Sequence, residues 1–208
     1  MKQRCNLFLA LAALAAVAAG PVSAGAQAAA AWRPLLIYYS LTGSTRIVAA
    51  ELGRALRCEQ LELTSLRERT GFWKVNCVID QLFDRDDVPG PVKLEIAQYN
   101  PIIIACPIWI HRLASPMRTF LDHGRIAGKE VYVIVTHQGN YGDKDEQSVR
   151  QFLAARAMHL KGYSAVLTRG TTEAEIVNAT KAIIKRNFSE MEKPVSGTTN
   201  QNGGCDNE

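Results

Sequence analysis

After Pro34, three stretches of this chain are apolar without a break: Leu35–Tyr39 (LLIYY), Ile102–Cys106 (IIIAC) and Val131–Val135 (VYVIV). A strand with one face in water alternates apolar and polar side chains, so an unbroken run marks a strand covered on both faces. Each run is followed by a loop and then by a segment with helical spacing. Parallel neighbours need crossovers, and crossovers within one sheet are right-handed, so the helices cover both faces. Little else that a chain can fold into satisfies all three runs.

The intervening segments complete the pattern. Val48, Leu52, Ala55 and Leu56 fall on one helical face, with Arg46, Glu51, Arg54 and Arg57 elsewhere around it. Gln60–Leu63 is a shorter strand. Phe72, Val75, Ile79, Leu82 and Phe83 suggest a helix that Pro89-Gly90-Pro91 ends. A loop over Pro107–Ser115 leads to a helix starting near Pro116, a residue suited to the first helical position. Val149, Phe152, Leu153, Ala157 and Leu160 predict the next helix, Ala165–Leu167 a last short strand, and Ile176, Val177, Thr180, Ile183 and Ile184 the final helix. Strand and helix thus alternate five times, which predicts a five-stranded, doubly wound α/β domain. Ligands of such sheets bind beyond the carboxyl ends of the strands, where strand order reverses.

The chain has 208 residues, enough for one domain with a full core, and 47% of them are hydrophobic. Its formal charge is +4, and without Lys2 and Arg4 the balance is 22 basic side chains against 20 acidic ones. The basic residues are scattered, which argues against nucleic-acid binding. Residues 1–26 have a basic start, an apolar run from Leu7 to Ala19 and small residues at Val22-Ser23-Ala24 and Ala24-Gly25-Ala26. That is the pattern of a cleaved export signal, and the run is short for a membrane span. No Arg-Arg pair precedes it, which favours a Sec-type route and a periplasmic or secreted product without a membrane span. Domain expectations are therefore a signal over 1–26, a folded domain over 32–187 and, from composition, a disordered tail over 188–208. Cys58, Cys77, Cys106 and Cys205 match no metal-binding spacing; an exported protein could pair them as disulfides, and the simpler reading is buried packing plus one thiol in the tail.

The loops carry the chemistry. Ser40-Leu41-Thr42-Gly43-Ser44-Thr45 joins the first strand to the first helix. A helix N-terminus presents unpaired N–H groups and a positive dipole end. Gly43 permits a sharp turn and close approach of a ligand, and four hydroxyls surround it. This suits a phosphate monoester. Capping by Ser44 or Thr45 accounts for one hydroxyl but not four. The loop lacks the Lys of a Walker A loop and the glycines of a dinucleotide fold. At the second strand end, Trp109 offers a flat face to an aromatic ring beside that anion site, unless it packs into the core.

With these motifs the chain resembles the flavodoxin-like flavoproteins. Ser40–Thr45 matches the family's S-x-T-G-[NS]-T phosphate loop at every specified position. ACPIWIHRLASPMRTFLD is similar to the loop after strand three, usually written G-[TS]-P-[VI]-W, and VYVIVTHQGNYGD to the third flavin loop. The resemblance covers about residues 34–186. It implies a five-stranded parallel sheet of order 2-1-3-4-5 in the short-chain form, and one non-covalent FMN. Ser40, Leu41, Thr42, Gly43, Ser44 and Thr45 would then hold phosphate. Pro107, Ile108, Trp109, Ile110 and His111 would line one flavin face. Thr136, Gln138, Gly139, Asn140 and Tyr141 would approach the ring's polar edge and other face. His111 stands where relatives commonly carry Gly, and Ala105-Cys106 replaces Gly-Thr or Gly-Ser.

Two functions follow from the resemblance. One is an FMN-dependent oxidoreductase similar to NAD(P)H:quinone reductases, passing electrons from a reduced nicotinamide or partner protein to a quinone-like acceptor. The other is a non-enzymatic electron carrier between proteins. Carriers of this family are strongly acidic, whereas this chain is near neutral. His111 and His137 are the two candidates for proton relay or charge balance beside the flavin. Cys106 is a candidate redox thiol only if it is accessible.

Overall fold

The computed structural model describes residues 32–66, 87, 90–91, 94–123, 126–139 and 141–189. The expected signal at 1–26, the expected helix around Phe72–Phe83, Asn140, Cys77, Cys205 and the chain beyond 189 lie outside the described residues.

The three apolar runs are central strands. Strand β1 is Leu35–Tyr39, β2 Glu59–Leu63, β3 Ile102–Trp109, β4 Arg112–Leu113, β5 Glu130–His137 and β6 His159–Leu167. Among the described residues the α-helices are α1 (Ser44–Leu56), α2 (Ser115–His123), α3 (Asp143–Ala154) and α4 (Glu173–Phe188). The sheet runs β2-β1-β3-β5-β6 with these five strands parallel. The expected order of five long strands is therefore present, but the sheet has a sixth strand. Short β4 folds back antiparallel on the end of β3, pairing Ile108 with Leu113 and Trp109 with Arg112.

Alternation within the apolar runs divides the core in two. Leu35, Ile37, Ile102, Ile104, Val131 and Val133 point to one face, where Leu113, Met117, Phe120, Leu121, Val149 and Leu153 meet them. Leu36, Tyr38, Ile103, Ala105, Tyr132 and Ile134 point to the other, against Val48, Leu52, Ile176, Ile183 and Ile184. Ile102, Ile103 and Ile104 are all fully buried. Each such side chain contributes roughly 1.5–3 kcal/mol relative to exposure. Successive residues of one strand thus serve opposite layers, which is why the run has no polar gap.

Three expectations need correction. The segment after β3 is not a loop from Pro107: the strand continues to Trp109 and turns tightly through Ile110 (φ 45°) and His111 (φ 61°) into β4. Two left-handed central residues make the hairpin twist that joins neighbouring strands. The helix expected to include Ala157 and Leu160 stops at Ala154. Ala157 takes φ 55°, its N–H donates to Ala154 O (3.0 Å), and Met158 N–H donates to Leu153 O (3.1 Å), a Schellman stop. The last strand consequently begins at His159, well before Ala165. Phe188 closes α4 rather than opening the tail, fully buried with its ring 4.8 Å from that of Tyr132.

No helix among the described residues is long and apolar enough to cross a membrane.

Candidate functional site

The carboxyl ends of β1, β3, β5 and β6 open into one cavity of about 480 Å³, within the ordinary range for small-molecule sites. Each element brings a distinct kind of group to it.

The β1–α1 loop supplies Leu41, Thr42, Ser44 and Thr45. Gly43 is the N-cap of α1 at φ 96°, a conformation that favours glycine. A Cβ built there meets no atom within 4 Å, so the space over the loop is open to a ligand. Ser40 serves the loop from below, its Oγ accepting a hydrogen bond from Arg46 N–H at 3.1 Å. Ile47 N–H donates to Gly43 O at 3.2 Å. Ser44 and Thr45 open α1, so their N–H groups have no acceptor within the helix by geometry, and both residues line the cavity. Buried Thr45 Oγ1 lies 2.8 Å from Thr136 Oγ1, which ties α1 to the end of β5. Arg46, the basic residue nearest the loop in sequence, turns away to Glu62 at 2.6 Å.

The β3–β4 hairpin supplies Pro107, Ile108, Trp109, Ile110 and His111. Trp109 is neither sunk in the core nor free on the surface. It is half-buried and meets Tyr39 edge-on, with centroids 5.9 Å apart and planes at 86°. That contact fixes the indole at the cavity wall. A β-branched residue at positive φ costs energy, so the surroundings must hold Ile110 in place. The next residue shows how: His111 Nδ1 lies 3.1 Å from Asp145 Oδ1.

The β5–α3 connection supplies Thr136, His137, Gln138 and Gly139. Gly139 takes φ 107° and its N–H donates to His137 Nδ1 at 3.3 Å. Burial pushes His137 below the ordinary histidine range, with Asp145 nearby opposing the shift. Tyr141 lies behind the lining, its ring 4.8 Å from that of His137 and stacked at 6.3 Å on Tyr163. Burial raises the Tyr163 hydroxyl well above the ordinary phenol range. Cys106, under the hairpin, is fully buried and pushed up to about 12 by that burial, so it packs rather than reacts.

Three lining residues carry no signal in the sequence motifs: Asp145, Thr168 and Arg169. Asp145 is the third residue of α3, accepting from Gly142 N–H at 2.8 Å as well as from His111. The spacing of a cap and an acid three residues later marks a helix start, not a cavity wall. Thr168 and Arg169 follow β6, whose true length was hidden by the helical spacing of Leu160. Among the described residues no cluster of His, Cys, Asp and Glu is arranged to hold a metal.

No family model matches the chain, and no curated protein does. Solved structures share its fold. A flavoprotein from Lactobacillus acidophilus in complex with FMN has a TM-score of 0.58 at 19% identity, covering 65% of this chain and 93% of its own. A putative flavoprotein from Bacteroides eggerthii has a TM-score of 0.59 at 18% identity, covering 74% and 97%. One from Bacteroides uniformis reaches 0.61 at 18% identity, covering 72% and 98%. The chain is thus similar in fold to flavoproteins along most of their length.

Proposed function

We propose that this domain, which has the flavodoxin-like fold, binds FMN in the cavity at its strand ends and works as an FMN-dependent oxidoreductase. The observation that carries the reading is one cavity lined by both a helix N-terminus rich in hydroxyls and an edge-anchored indole. A phosphate monoester bearing a large flat ring needs both. The residues present fit that group. Thr42 and Ser44 would hold the phosphate with their hydroxyls, Ser44 and Thr45 with their first-turn N–H groups, and Gly43 leaves room for it. Trp109 supports the ring, and Pro107 and Ile108 shield the same wall from water. Gln138 and Gly139 line the same cavity and would offer polar groups to the ring's edge.

When bound, FMN supplies reversible one- and two-electron transfer. This chain's residues would bind and orient it, and His111, held at Nδ1 by Asp145, would offer Nε2 to a proton at the cavity wall. The electrons come from a reduced nicotinamide or a partner protein and go to a quinone-like acceptor. Near-neutral charge and a side chain at position 111 support an enzyme over a carrier. The N-terminal segment supports export to the periplasm or beyond by a Sec-type route, where nicotinamides are scarce, and so supports a protein donor.

The test is a visible spectrum of the purified protein titrated with FMN. Roughly equimolar yellow complex is expected, weakened by Thr42→Ala and by Trp109→Ala. A protein that leaves FMN free in solution overturns the reading. Anaerobic reduction then separates enzyme from carrier: a single two-electron course supports the enzyme, and two well-resolved one-electron stages support the carrier.

A further inference from the structure

We propose that Arg169 is the counter-charge for the phosphate of the bound nucleotide and sets the preference for FMN over riboflavin; this rests on the FMN reading above. The phosphate loop from Ser40 to Thr45 contains no basic residue. The nearest in sequence, Arg46, is committed elsewhere, its guanidinium on Glu62 at 2.6 and 3.2 Å and thus joined to Tyr38, whose hydroxyl donates to the same carboxylate at 3.0 Å. A phosphate monoester near neutral pH carries close to two negative charges. Neutral donors alone would face that charge unless another element brings a cation.

The end of β6 brings one. Thr168 is pinned to the end of β5 twice, its N–H donating to His137 O at 2.8 Å and its Oγ1 donating to the same oxygen at 3.1 Å. Thr136, one residue earlier on β5, is the residue that bonds Thr45 of α1. The contacts Thr45–Thr136 and Thr168–His137 therefore link the β6 terminus to the start of α1 through two adjacent residues of β5, and Arg169 lines the same cavity as Thr42, Ser44 and Thr45.

The acid that lines the cavity does not compete for Arg169. The cavity's other titratable lining groups are His111, His137 and Asp145. Asp145 is buried and occupied by His111 and Gly142 N–H, so it is held to the hairpin and α3 rather than to Arg169. Arg169 forms no ion pair with a described residue, and it is exposed, so its guanidinium can reach over the opening. A guanidinium is planar, always charged and offers two parallel N–H donors, which match a phosphate better than an ammonium does.

The experiment compares FMN and riboflavin binding to the full chain and to Arg169→Ala and Arg169→Lys, by quenching of flavin fluorescence at two salt concentrations. Removing the guanidinium is expected to weaken FMN by about tenfold or more while riboflavin affinity stays within about twofold. Arg169→Lys is expected to recover part of the loss, and the FMN affinity of Arg169→Ala to depend less on salt. Equal FMN affinity in Arg169→Ala and the parent overturns the proposal, as does equal weakening of both flavins. A parent that binds neither flavin refutes the FMN reading itself, a different result from a parent that binds FMN with an indifferent Arg169.

Discussion

His111 Nδ1 lies 3.1 Å from Asp145 Oδ1, and through that contact a strained hairpin is tied to the first turn of α3. The Asp145 side chain is 2% exposed and also accepts from Gly142 N–H, while His111 is half in solvent. A buried carboxylate with these two donors holds the cavity's hairpin wall against its α3 wall.

Asp145→Ala removes both the helix cap and the hairpin tie. It is expected to lower stability by about 1–3 kcal/mol, as loss of a cap or of a buried hydrogen bond does. His111→Ala should cost less, because the imidazole is half exposed. Urea unfolding measures both, and an unchanged midpoint for Asp145→Ala refutes the tie.

Arg57, Ile110, His111 and Ala157 hold left-handed conformations that glycine adopts freely, and two of them offer a test. Ala157 ends α3 at φ 55° and Ile110 turns the hairpin at φ 45°. Relief at Ala157 touches no lining residue of the cavity, so Ala157→Gly is expected to stabilise by about 1 kcal/mol. Ile110→Asn is expected to raise the melting temperature too, since Asn tolerates that region. A lower melting temperature for Ala157→Gly would contradict the Schellman stop.

His137 sets a pH dependence. Burial lowers its pKa in the folded chain, so below about 6.5, the ordinary value for histidine, the unfolded chain binds a proton that the folded one resists. The stability tied to neutral His137 is present above that value and is lost as pH falls below it. His137→Gln should flatten the decline in melting temperature between about pH 6.5 and pH 5. Parallel curves for parent and variant would show that His137 does not contribute.

Cys106 should be silent to thiol reagents. With its thiol fully buried and pushed up to about 12, iodoacetamide at mildly alkaline pH is expected to leave it unmodified in the folded protein and to alkylate it in urea. Peptide mapping by mass spectrometry distinguishes it from the other cysteines. Rapid native labelling at Cys106 would revive a redox role.

Much of this protein is legible along its sequence because burial leaves a periodic trace. Leu35–Tyr39, Ile102–Cys106 and Val131–Val135 declare strands covered on both faces, and Ser40–Thr45 declares a helix start that presents amides and hydroxyls. Those features depend on neighbours a few residues away. Elsewhere the local signal misleads: Leu160 fits a helical stripe but belongs to β6, since Ala157 stops α3 without the glycine that usually marks such a stop. Likewise Ile110-His111 turns a hairpin without a turn residue, held by a carboxylate at position 145. Asp145, Thr168 and Arg169 join the cavity only because the sheet order sets the end of β6 beside β5, and β5 beside the start of α1. Chemistry that repeats along the chain was determined by the sequence by itself. Which distant ends meet was decided by the tertiary structure, because strand neighbours and crossovers are fixed by burying all the apolar faces at once.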